Sequence, residues 1–140
     1  MATVLVIDDE QSIIWAFDRF LTTLGHRVLT APTAELGLEL AAKEKPDLVI
    51  CDVKLPGLDG LAALEELRRR DPAARVIVIT AHGGFETAVK ATKLGAVEYL
   101  TKPIDLMKAR KVIEDALRTV PASREIEKLR ADGAVGIVGK

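Results

Sequence analysis

The sequence has a single cysteine, Cys51, in 140 residues, which excludes a disulfide framework and a cysteine-ligated zinc site. Aromatic residues make up only 4% of the chain, so a core must be built from aliphatic side chains, and 49% apolar residues are enough for one. No apolar run approaches the roughly 18 residues of a membrane span. The first residues enter a strand pattern at once, with no signal-peptide signature. The expectation is a reduced, cytoplasmic protein with no membrane contact. At 15.1 kDa the length fits one domain and little more. The net charge of −1 also excludes a strongly basic nucleic-acid binder. That small net value hides an asymmetry: residues 1–60 hold ten acids against five bases, and residues 61–140 eleven acids against fifteen bases.

Short apolar runs rich in β-branched residues alternate along the chain with segments of helical periodicity. Thr3-Val4-Leu5-Val6-Ile7, His26-Arg27-Val28-Leu29-Thr30, Asp47-Leu48-Val49-Ile50-Cys51, Arg75-Val76-Ile77-Val78-Ile79-Thr80 and Val97-Glu98-Tyr99-Leu100 read as strands. Between and after them, apolar residues recur at helical spacing: Ile13, Ile14, Phe17, Leu21 and Leu24, closed by Gly25; Leu36, Leu38, Leu40 and Ala41, ending before Pro46; Leu61, Leu64 and Leu67, closed by Asp71-Pro72; Phe85, Ala88, Val89 and Thr92, capped near Gly95; and Leu106, Ala109, Ile113, Ala116 and Leu117. Five βα units predict an α/β fold: an open, doubly wound parallel sheet with helices on both faces. Ligands of such folds bind beyond the carboxyl ends of the strands.

Those ends are chemically loaded. The first carries Asp8-Asp9-Glu10, the third Asp52, the fourth Thr80 and the fifth Lys102-Pro103. An isolated strand-end aspartate is ordinarily a helix cap or a solvated turn. Several acids, a hydroxyl and a lysine on one sheet edge are not explained so easily. Clustered carboxylates raise one another's pKa, and a hard divalent cation relieves them. Mg²⁺ suits oxygen ligands, and nitrogen or sulfur ligands are missing. A carboxylate beside such a cation, with Lys102 and Thr80 as donors, fits phosphoryl chemistry with Asp52 as the nucleophile. His26 follows a helix-ending glycine and carries no evident role, and His82, just beyond Thr80, is either a modulator or a solvated loop residue.

The motifs Asp8-Asp9-Glu10, Cys51-Asp52-Val53-Lys54-Leu55-Pro56-Gly57-Leu58-Asp59-Gly60, Thr80-Ala81 and Tyr99-Leu100-Thr101-Lys102-Pro103 resemble those of two-component response-regulator receiver domains, over about residues 3–120. The resemblance implies a flavodoxin-like five-stranded sheet in the order 2-1-3-4-5, with Asp52 as phosphoacceptor. It implies Mg²⁺ held directly by Asp9 and Asp52, by Asp8 partly through water, and by the backbone carbonyl of Lys54. It implies that Lys102 pairs with the phosphoryl group, that the Lys102-Pro103 peptide is cis, and that Thr80 and Tyr99 form the switch pair. The implied partners are a histidine kinase as phosphodonor and, in a homodimer, a second copy. That dimer would form through the face of the fourth helix, fifth strand and fifth helix, here carrying Ala88, Lys90, Lys93, Glu98, Lys108 and Lys111.

Further wording, His82-Gly83-Gly84-Phe85-Glu86-Thr87-Ala88-Val89-Lys90-Ala91 and Lys102-Pro103-Ile104-Asp105, resembles the receivers of nitrogen-regulation-type, sigma-54-dependent transcriptional activators. The expected organisation is a receiver over 1–120 and, over 121–140, a linker and the start of an output ATPase that the chain does not complete. A signalling module, not an enzyme beyond assisting its own phosphorylation and dephosphorylation, is the leading reading. The alternative, a Mg²⁺-dependent aspartyl-phosphate phosphatase, wants a second acid two residues after the nucleophile, where Lys54 stands. A dinucleotide-dependent oxidoreductase would need a glycine-rich turn in place of Asp8-Asp9-Glu10.

Overall fold

A computed structural model describes residues 2–55, 57, 59–81 and 85–118. Ten elements alternate: β1 (Thr3–Ile7), α1 (Gln11–Thr23), β2 (Arg27–Ala31), α2 (Ala34–Glu44), β3 (Leu48–Asp52), α3 (Gly60–Arg70), β4 (Val76–Thr80), α4 (Phe85–Lys93), β5 (Glu98–Thr101) and α5 (Leu106–Arg118). All pairings are parallel and the sheet order is β2-β1-β3-β4-β5. The α/β reading and the inherited strand order both hold. Among the described residues no helix is long and apolar enough to cross a membrane. The proposed linker and output-domain start at 121–140, and His82, lie outside the described residues.

The continuous apolar runs become the central strands because both sheet faces are covered. Every residue of β3 and β4 is buried. On β1, Leu5 and Ile7 join a cluster with Ala34, Leu38, Leu64 and Leu67 of α2 and α3, while Val4 and Val6 join one with Phe17, Leu21 and Ile113 of α1 and α5. The edge strand β2 is only partly buried, as its weaker apolar pattern foretold. Gly25 follows α1 at φ +90°, a left-handed conformation that glycine tolerates best.

Two corrections concern α4. Phe85 was expected to mark its core face, yet Phe85 is 74% exposed and Val89 37% exposed. Of the positions expected to mark the helix only Ala88 is buried, and Ala91 joins it, so α4 lies against the sheet on small side chains. For the same reason Ala88 is withdrawn from the outward face of the expected dimer, where Lys90, Lys93, Glu98, Lys108 and Lys111 do stand exposed.

Side-chain caps start three of the described helices, and Asp105 Oδ1 begins α5 by accepting from the Met107 and Lys108 N–H at 3.0 and 3.3 Å. Thr33 accepts from the Leu36 N–H at 3.2 Å to begin α2, and Asp59 accepts from the Ala62 N–H at 2.8 Å to begin α3. Thr33→Ala is expected to lower stability by about 1 kcal/mol, read from the denaturant midpoint at unchanged m-value. A midpoint equal to wild type would mean that the cap contributes nothing.

Candidate functional site

The register of β1, β3 and β4 brings their carboxyl ends level, with Ile7 beside Cys51 and Asp52 beside Ile79. Asp8 emerges from one strand end and Asp52 from the next. Asp8, Glu10 and Asp52 offer carboxylate oxygens that all lie within 4.8 Å of one another. Asp8 is fully buried and Asp52 is 3% exposed.

The ammonium of Lys102 sits among these acids. Its Nζ donates to Asp52 Oδ2 at 3.0 Å and to Glu10 Oε1, and lies 3.7 Å from Asp8 Oδ2. The other oxygen of Asp52, Oδ1, accepts from the Lys54 N–H at 3.0 Å, and Asp8 Oδ1 accepts from the Glu10 N–H at 2.9 Å. Asp8 Oδ2 is buried and makes no hydrogen bond.

Burial pushes the Asp8 carboxyl up to about 6 from an ordinary 3.8, and the charge of Asp52 adds to the rise; the Glu10 N–H and Lys102 oppose it. For Lys102, burial acts downward, but the hydrogen bonds to Glu10 and Asp52 and the charge of Asp8 win, and its pKa is raised. Cys51, fully buried on β3, has its thiol pushed up by burial and by the charges of Asp52, Asp8 and Asp59, so it is an inert core residue.

The remaining predicted residues lie on or next to the strands that carry this cluster. Asp9 is exposed and lies beside the three-carboxylate group without joining it. Thr80 is 1% exposed, and its hydroxyl donates a long 3.5 Å hydrogen bond to the Leu100 carbonyl. Tyr99 on β5 is 37% exposed. The Lys102-Pro103 peptide is cis. Glu10 was read as part of the acidic triplet but given no role of its own, and the structure places it on Lys102. The start of α1 marks it out: Glu10 occupies the N-cap position, where Ser, Thr, Asp or Asn is usual, and its side chain makes no cap hydrogen bond.

The donor set is all oxygen, partly buried and crowded with negative charge, and one buried carboxylate oxygen has no hydrogen-bond donor. That is the chemistry a hard divalent cation relieves. A family model described as the response regulator receiver domain matches residues 4–114. The chain belongs to the response regulator receiver family.

Within that family it is an NtrC-like receiver. It is 36% identical to the DNA-binding transcriptional regulator NtrC of Escherichia coli K12 over 141 residues, covering 98% of this chain and 29% of that protein. The transcriptional regulatory protein GlrR of the same organism is 37% identical over 125 residues, 89% of this chain and 28% of its own length. The receiver chain thus spans about three-tenths of the curated relatives it matches. Among solved structures, the receiver domain of NtrX from Brucella abortus superposes with a TM-score of 0.80 at 38% identity, covering 83% of this chain and 98% of that one. A receiver domain from Clostridium thermocellum gives 0.80 at 37% identity, covering 84% and 95%. Receiver domains are signalling modules of two-component systems rather than ordinary enzymes, and they bind Mg²⁺ at an acidic pocket such as the one formed here.

Proposed function

We propose that this receiver accepts a phosphoryl group on Asp52 from the phosphohistidine of a histidine kinase and uses the change to control an output domain in transcription regulation. The observation that carries the reading is the placement of Asp52: buried at a strand end, one oxygen on the Lys54 N–H and the other on the Lys102 ammonium. In the transfer an Asp52 oxygen bonds to phosphorus as the phosphorus–nitrogen bond breaks, and the imidazole keeps that electron pair. Asp8, Asp9, Asp52 and the Lys54 carbonyl are the groups that would hold Mg²⁺, which supplies charge neutralisation for the phosphoryl oxygens.

The chain's own residues do the rest. Lys102 exchanges its bond to Asp52 for one to a phosphoryl oxygen. Thr80, held only by a long bond to the Leu100 carbonyl, turns its hydroxyl toward the new acceptor oxygens. Tyr99, half-exposed on the neighbouring strand, fills the space behind it. This moves the loops after β4 and β5 and re-faces α4, β5 and α5, where a second copy or an output domain would read the change. Two residues after Asp52 stands Lys54, where a phosphatase of this chemistry wants a second carboxylic acid as general acid and base.

Incubation with Mg²⁺ and acetyl phosphate is expected to add one hydroxylamine-labile phosphoryl group by intact mass. Asp52→Asn is expected to gain none. Equal labelling of the two proteins would remove Asp52 from the role.

A further inference from the structure

Glu10 is the one member of the carboxylate cluster that faces solvent. Its side chain is 52% exposed, against 0% for Asp8 and 5% for Asp52. It therefore reaches Lys102 from the open side of the site, the side from which a phosphodonor must come. It is also misplaced by the rules of helices. Position 10 is the N-cap of α1, and a short acceptor there would bond a free N–H of the first turn. A glutamate does not cap α1 here, and its carboxylate goes to the ammonium 92 positions along the chain. A local rule broken at the edge of a site, with the side chain spent on a site residue, points to function rather than folding.

We infer that Glu10 is a positioning residue that holds Lys102 in the resting site and must let it go before the ammonium can serve a phosphoryl oxygen. The inference rests on Asp52 being the phosphoacceptor. Lys102 is shared among Glu10, Asp52 and Asp8, and a phosphoryl oxygen has to compete with them. The bond to Asp52 is lost by the reaction itself, because that carboxylate becomes an acyl phosphate of lower oxygen charge. The bond to Glu10 is not. It persists as a competitor, and its negative charge also opposes the anionic donor at the mouth. Glu10 thereby sets how readily the site charges, without touching the reacting atoms.

Two variants separate the ion pair from the charge. Glu10→Gln removes both. Glu10→Asp keeps the charge but is one methylene shorter, and it restores a good cap to α1. Labelling rates with acetyl phosphate at fixed Mg²⁺ are expected to rise about two- to five-fold in Glu10→Gln, the range open to a pair of this exposure. A smaller rise is expected in Glu10→Asp. Salt screens an exposed pair, so the ratio of variant to wild type is expected to fall toward one as ionic strength rises. The thermal midpoint of Glu10→Asp is expected to exceed that of wild type, because the helix gains its cap. An unchanged or slower rate in Glu10→Gln overturns the inference, as does a wild-type rate in Glu10→Asp, which would leave charge alone at work. A fall in midpoint well beyond what the loss of one exposed ion pair gives means the pair serves the fold, and also overturns it. A wild type that takes up no phosphoryl group is a different failure: it removes the phosphoacceptor reading, and this inference with it.

Discussion

Asp8→Asn is expected to make the metal-free protein more stable at neutral pH and to remove most of the stabilisation that Mg²⁺ provides. Asp8 is buried beside Asp52, and one of its oxygens makes no hydrogen bond. Its carboxyl is raised to about 6 from 3.8, by burial first and by the charge of Asp52 next. An acid whose pKa is higher in the folded state binds its proton more tightly there. Ionised Asp8 is thus a cost to folding above about pH 6, and the cost shrinks as pH falls from about 6 toward 3.8. An asparagine carries no charge at any of these pH values. The variant should gain about 2 kcal/mol at pH 8, somewhat less than the full shift converts to because Lys102 loses part of its surroundings. The gain should vanish near pH 4. With Mg²⁺ the order reverses in sensitivity: a ligand that binds only the folded state stabilises wild type by about 2.7 kcal/mol at a hundred times its Kd. The variant, lacking a charge at the site, should gain far less. Denaturant unfolding at pH 8 and pH 4, with and without Mg²⁺, reads all four quantities. A variant less stable than wild type at pH 8 without metal would show that Asp8 is held well by Lys102 and carries no such cost.

Strand identity was legible because a parallel sheet covered on both faces demands unbroken β-branched runs, and β1, β3 and β4 supply them. The convergence of Asp8, Asp52 and Lys102 was legible because parallel strands put every carboxyl end on one edge. Strand order came from resemblance, since alternation says nothing of which strands are neighbours. The errors lie where long-range packing decides. A helical period identifies α4 but not which stripe it buries, and alanines at 88 and 91 fit the tight space while Phe85 and Val89 do not. The pairing of Glu10 with Lys102 spans 92 positions and needs the fold to be seen. The poor N-cap residue becomes visible only once the start of α1 is fixed.

Gly60→Ala is expected to have a large effect for one added methyl group, and to act on the site rather than on the helix it begins. Gly60 is the first residue of α3 and is buried. Its N–H donates to the Val53 carbonyl at 2.9 Å, so the helix start is tied directly to the chain leaving β3. A Cβ at position 60 would come within 2.5 Å of Val53 Cα and closer still to the Asp52 carbonyl oxygen. Both obstacles are backbone, which cannot swing aside as the tip of a long side chain can. Relief requires α3 to move away from the end of β3, or the Asp52–Val53 peptide to turn. The first opens the packing of Ala63, Leu64 and Leu67 against the core. The second re-aims the phosphoacceptor itself and disturbs the Lys54 N–H that holds its Oδ1 at 3.0 Å. Overpacking into a dense core ordinarily costs about 1–3 kcal/mol, and a backbone clash belongs at or above the top of that range. Intrinsic helix propensity acts in the opposite sense, since alanine is favoured over glycine by about 1 kcal/mol inside a helix. Propensity alone therefore predicts a stabilised variant and the close approach a strongly destabilised one. The denaturant midpoint of Gly60→Ala decides between them, and its acetyl phosphate labelling rate, measured below the unfolding transition, shows whether the damage reaches Asp52. A midpoint at or above wild type with normal labelling would mean that the approach of α3 to β3 is looser than this geometry has it.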